Sequence, residues 1–141
     1  MKSFALILST ILFAMSINAQ EKSDNWQITW NEKVILSTAS ENQKANVKNV
    51  DFKESAVLGI SYKEAEPKAD WSRSFILFDE SDNELLRKEN KSMTKIGSEE
   101  LKKAIGDKNT IKIYTVSLPT DPNMAAQVRV RRVHLCTLVL N

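Results

Sequence analysis

The chain has 141 residues, 42% of them hydrophobic, a formal net charge of +2 and one cysteine, Cys136. The near-neutral charge excludes the broad cationic field of a nucleic-acid binder and offers no acidic field either. A single thiol excludes an internal disulfide framework, so stability has to come from burial.

Lys2 gives a short positive start, Phe4 to Ile17 form an almost unbroken apolar run, and Ile17-Asn18-Ala19 ends in a small residue. This is the pattern of a cleavable secretory signal peptide over residues 1–19, with the mature chain beginning at Gln20. The apolar run is about 14 residues long against the roughly 20 that a spanning helix needs, so no membrane span is expected after cleavage. No cysteine stands just after the junction to carry a lipid, the only one being Cys136. Residues 20–141 are about 120 in number, enough for one domain with its own core. Losing Lys2 lowers the formal charge from +2 to +1. The expected location is periplasmic or secreted.

Gln20 to Asn25 is a polar lead-in. Trp26, Ile28 and Trp30 then alternate with Gln27 and Thr29, the period of two that puts one apolar strand face on a core. Lys33 to Ser37 continues or pairs with that strand, and the polar stretch Thr38 to Asn49 reads as a loop or a weak edge strand. Ala56 to Tyr62 is a strand in which Gly59 marks a bulge or a close packing contact. Lys63 to Asp70, with Pro67 and several charges, is a connection.

Ser74 to Phe78 and Glu84 to Lys88 flank a turn-prone Asp79-Glu80-Ser81-Asp82-Asn83 and are expected to form a hairpin. Ser98 is expected to cap a short helix with Glu99 and Glu100 in its first turn, Leu101, Ala104 and Ile105 on one face, and Gly106 just past its end. Thr110 to Leu118 reads as a strand closed by Pro119, and Asp121-Pro122 starts a single helical turn through Ala126. Val128 to Leu140 reads as one long strand whose apolar phase changes near Arg132, which implies a bulge there or cover on both faces. The order of elements points to a mainly β domain, an antiparallel β-sandwich of seven to eight strands with one short α-helix.

His134 and Cys136, spaced by two on a strand, should share a face, which makes a Cys-His dyad the sharpest enzymatic idea. Their bases would stand roughly 6.5 to 7 Å apart, too far for a thiol to reach its base, so a buried structural cysteine is the simpler reading. Asp79, Asp82, Asn83 and Glu84 are an oxygen-rich set that suits calcium, although the spacing and the missing glycine do not match an EF-hand loop. Acidic and amide residues also favour turns for their own sake. One histidine and one cysteine do not fill a zinc site, and no nucleotide-binding or serine-hydrolase pattern occurs. No cofactor is expected.

Arg129, Arg131 and Arg132 make a basic patch that suits a phosphate, an acidic glycan or an acidic protein face, with protection of a strand edge as the alternative. Exposed tryptophans can also form a sugar platform. Trp26 and Trp30 are in phase with Ile28 and belong to a core, whereas Trp71 lies beside a polar loop and is the surface candidate.

The Asn18-Ala19-Gln20 junction, the Trp26-Gln27-Ile28-Thr29-Trp30 strand and the closing Arg129-Val130-Arg131-Arg132-Val133-His134-Leu135 are similar to small uncharacterised exported β-rich proteins of Bacteroidetes-type bacteria. The resemblance covers the two ends more than the middle and implies a cell-envelope or secreted protein, with no functional residue carried over. The reading is a non-enzymatic binding or accessory module meeting an envelope protein or a glycan. Its rivals are a small hydrolase using Asp51, Glu54 or Asp70 brought together by the fold, and an assembly subunit pairing through a strand edge.

Overall fold

The computed structural model describes residues 23–52 and 55–141. The expected signal peptide lies outside the described residues, as does Glu54. Nine strands and two short helices follow in the order β1 (Asn25–Trp30), β2 (Lys33–Thr38), β3 (Val47–Val50), β4 (Leu58–Lys63), β5 (Trp71–Phe78), β6 (Glu84–Lys88), β7 (Met93–Ile96), α1 (Ser98–Ile105), β8 (Thr110–Pro119), α2 (Pro122–Ala125) and β9 (Val133–Leu140). They make a four-stranded sheet, β2-β1-β4-β7, and a five-stranded sheet, β3-β9-β8-β5-β6.

The alternation in β1 does what the period of two requires: Trp26, Ile28 and Trp30 are buried while Gln27 is exposed. Asn31 and Glu32 both take positive φ, 50° and 67°, which closes the tight turn into β2 with the twist a hairpin needs. Asn31 ties this turn to the start of β4, donating its amide to Val57 O and accepting from Val57 N through Oδ1 at 2.8 Å. The β1–β4 ladder runs unbroken through the Thr29–Gly59 pair, so Gly59 is a close contact and not a bulge. A Cβ built there would stand 2.1 Å from Thr29 Oγ1.

One core holds the two sheets together. Trp26, Ile28, Leu58, Ile60, Tyr62 and Ile96 come from the first sheet, and Phe75, Leu77, Ile113, Leu135, Cys136 and Leu138 from the second. Helix α1 adds Leu101 and Ile105. The cap of α1 differs from expectation: Gly97 occupies the N-cap without a side-chain bond and Ser98 is already helical, while Gly106 ends the helix at φ 59° as its sequence position suggests.

The strand count exceeds the expected seven to eight, and α2 joins α1 as a second helix, with Asp121 capping it by accepting from Asn123 N. The sheets are also not wholly antiparallel, because β3 pairs parallel to β9 from Val47–Thr137 to Val50–Leu140. The expected long strand from Val128 is shorter, beginning only at Val133. Its phase change is real but displaced: β8 pairs Tyr114 with His134 and Ile113 with Cys136, leaving Leu135 as the extra residue of a bulge.

That bulge overturns the shared face expected of His134 and Cys136. Cys136 joins the core between the sheets. His134, equally buried, packs edge-on against Tyr114 on the outer face, with ring centroids 5.3 Å apart. Glu41 and Arg132 cover that outer face, Glu41 Oε1 accepting from the His134 amide and the Arg132 guanidinium lying 4.4 Å from the Tyr114 ring.

Candidate functional site

The inward-facing rows of three strands change character toward one end of the molecule. On β5 the row reads Leu77, Phe75, Arg73, Trp71; on β8 it reads Ile113, Thr115, Ser117; on β4 it reads Ile60 and Tyr62, with Glu64 in phase just beyond. The period that builds the core therefore continues outward with polar residues. Two grooves open there, of about 430 Å³ and 460 Å³, both lined by Glu64, Trp71 and Arg73. A third, of about 450 Å³, shares Trp71 and Lys68 with the first.

The wall of these grooves is a prebuilt hydrogen-bonded stack. Trp26 and Tyr62 lie parallel, 3° apart in plane and 5.8 Å between centroids, and the Arg73 guanidinium lies over the Tyr62 ring at 3.8 Å. Arg73 donates from Nε and Nη2 to Glu64 Oε1, at 3.2 and 2.9 Å, and from Nη1 to Thr115 Oγ1 at 3.1 Å. The Thr115 hydroxyl in turn donates to Ser74 O at 2.9 Å. The Tyr62 hydroxyl donates to Asp24 Oδ2 at 2.7 Å, and Asp24 Oδ1 accepts from Ala65 N at 2.8 Å. A planar cation fixed this way is pre-organised, since three of its five N–H donors and its ring contact are engaged by the fold.

Burial, then the hydrogen bond to Asp24, raises the Tyr62 hydroxyl above the ordinary tyrosine range. Burial pushes Asp24 upward too, but the Ala65 amide, the Tyr62 hydroxyl and Arg73 outweigh it and hold its carboxyl below the usual value. Both groups are thus moved away from neutrality, the reverse of what a general acid or base requires.

Trp71 starts β5 opposite Pro119 and is half-buried. Its amide donates to Lys68 O, and the Lys68 ammonium sits over the indole at 4.3 Å. Trp26 and Trp30 are core residues, their indole N–H groups donating to Leu135 O and Asp51 O.

The arginines of the basic patch lie elsewhere, on the segment ahead of β9. Arg131 pairs with Glu41. Arg132 stacks on Phe78 and Tyr114 and stands 3.4 Å from Asp82, while Arg129 is exposed. They do not line the Trp71 grooves. The oxygen-rich turn is a self-satisfied structure: Asp79 Oδ1 accepts from Ser81 N and Asn83 N, Oδ2 accepts from Asn83 Nδ2, and Lys108 stands 3.6 Å away. Asp82 meets Lys112 and Arg132, and Glu84 meets Arg87. Lysine and arginine side chains pair with these carboxylates, and among the described residues no group of three or more His, Cys, Asp or Glu side chains is positioned to hold a metal ion.

Asp51 follows β3 beside Leu140, and Asp70 meets Thr120 at the far end of β8. Ten residues of strand separate those levels, roughly 30 Å, so these two carboxylates do not form a hydrolytic pair. Arg73, Asp24 and Glu64 were not singled out in the sequence; the available signal was an arginine in phase with Phe75 and Leu77. Among the described residues no helix is long and apolar enough to cross a membrane. Comparison with protein-family models, with curated proteins and with solved structures returned no match.

Proposed function

We propose that this chain is a non-enzymatic binding or accessory module of the bacterial cell envelope, a two-sheet β-sandwich released by cleavage after Ala19, whose ligand seat is the groove system around Trp71. The observation that carries the reading is the change along the inward rows, where Phe75 gives way to Arg73 and a half-buried Trp71 without any break in the strand period. An arginine spent on a glutamate, a threonine and an aromatic ring shapes a surface; it does not activate a nucleophile. The Asp24 and Tyr62 shifts point the same way, since neither group is poised for proton transfer near neutral pH.

Affinity capture from a detergent-solubilised envelope fraction of the host tests this. Native protein should enrich a specific glycan or protein, Trp71→Ala should lose it, and Arg131→Ala should retain it. Capture that survives Trp71→Ala and disappears with Arg131→Ala would move the seat to the basic segment and overturn the reading.

A further inference from the structure

We infer that the Trp71 grooves take an uncharged, hydroxyl-rich ligand, a neutral glycan segment, which exchanges with the Lys68 ammonium on the indole face. The inference rests on the proposal that the Trp71 grooves are the ligand seat, and it adds the ligand's chemistry.

Charge balance is the first support. Five carboxylates and four cations line the three grooves together, so no strong field of either sign selects an ion. The deepest charges are already matched: Arg73 lies against Glu64 and Tyr62, and both Asp24 oxygens accept hydrogen bonds from the protein. An anion entering here would compete with Glu64 for Arg73, and a cation would compete with Arg73 for Glu64.

Donors and acceptors are the second. Glu64 spends only Oε1 on Arg73 among the described contacts, and Ser117 and Asn90 are polar residues lining the same grooves. Interleaved donors and acceptors around an aromatic plate match a ligand whose faces carry C–H groups and whose rim carries hydroxyls. The grooves meet at Trp71, Arg73 and Glu64, and each has the volume of an ordinary ligand site, so a ligand of several linked rings can cross the indole from one groove into the next.

Lys68 is the third. Its ammonium lies over Trp71 from an exposed connection, held by an interaction weak enough at a solvated site to be displaced. It keeps the plate covered while the seat is empty.

Calorimetric titration of the protein expressed from the full chain, with maltohexaose, cellohexaose, chitohexaose, polygalacturonate and oligolysine as probes, tests the inference. A neutral hexasaccharide should bind with little dependence on salt, because no net charge is screened. Trp71→Ala should weaken it by about tenfold or more, as loss of an aromatic anchor does. Lys68→Ala, on an exposed segment outside the core, should tighten it by about threefold, by removing the competitor. Binding of polygalacturonate or oligolysine alone, salt-sensitive and lost in Trp71→Ala, would overturn the ligand class and leave the seat standing. Binding indifferent to both substitutions would overturn the seat itself. If no hexasaccharide binds while envelope capture still depends on Trp71, the neutral-glycan inference fails and the seat survives.

Discussion

His134 and Cys136 stand two residues apart on β9 and project to opposite faces of its sheet, because Leu135 is inserted between their partners Tyr114 and Ile113. The bulge turns what would have been a neighbouring imidazole and thiol into two separately buried groups. Burial pushes the Cys136 thiol up to about 12, with Lys48 opposing only in part.

Native Cys136 should therefore resist thiol reagents at mildly alkaline pH and react fully in urea, since only the thiolate attacks and only opening exposes it. Labelling of the folded protein at the rate of a free cysteine would show that the side chain does not lie between the sheets.

His134 should remain neutral below its ordinary value of 6.5, because burial lowers its proton affinity and Lys112 adds to this, while Glu41 opposes. The unfolded chain takes up the proton first, so the stability attached to the neutral imidazole is complete above about pH 6.5 and is lost as pH falls toward the folded value. The chain has one histidine, so its imidazole resonance can be followed by NMR without assignment ambiguity. A midpoint at or above the ordinary value would contradict the buried placement.

Gly59→Ala should destabilise the fold by about 1–3 kcal/mol, the range for forcing extra atoms into a packed site. The added methyl meets Thr29 Oγ1, the outer atom of a stiff β-branched side chain on the paired strand. Thr29→Ala in the same chain should recover much of the loss, and urea unfolding of the two single variants and the double variant measures the coupling. Additive losses would locate the strain elsewhere.

Acid should unfold this protein partly through Asp24 and Asp79. The Asn83 amide and side chain lower Asp79 most, against a smaller effect of burial, and Asp24 is lowered on balance by the bonds described above. Their contributions are complete above the ordinary carboxyl value of 3.8 and vanish as pH falls through the folded values. Asp24→Asn and Asp79→Asn should each lower the urea midpoint at neutral pH and converge with the native protein near about pH 2. A difference that persists unchanged at the acid end would mean the carboxylate charge is not what stabilises these sites.

Much of the architecture is written in local patterns. Trp26, Ile28 and Trp30 announce β1, the Asp79–Asn83 turn announces the β5–β6 hairpin, and Gly106 announces the end of α1. What escapes local reading depends on distant partners. Val47–Val50 is too short and polar to declare itself a strand, and it becomes one because Thr137–Leu140 accepts it in parallel. The bulge at Leu135 belongs to the register of β8 against β9, and the alternating sequence of one strand hints only that a phase must change. The groove is half visible: Trp71 stands out beside its loop, whereas Arg73, Glu64 and Asp24 are adjacent only because β1 and β5 begin where β4 ends. Of the basic segment, prominent in sequence as three arginines, Arg131 and Arg132 are spent locally on Glu41, Asp82 and two aromatic rings.

The pairing of β3 with β9 also bears on when this chain can fold. Among the described residues, 47–50 find their only strand partner near residue 140, and the Trp26 indole bonds a carbonyl 109 residues away. Such long loops must close before either contact rewards the closure, which slows folding and leaves β3 unpaired until β9 arrives. A chain still emerging from the ribosome would thus hold β3 apart from the rest of its sheet, with β9 as the latch that joins them.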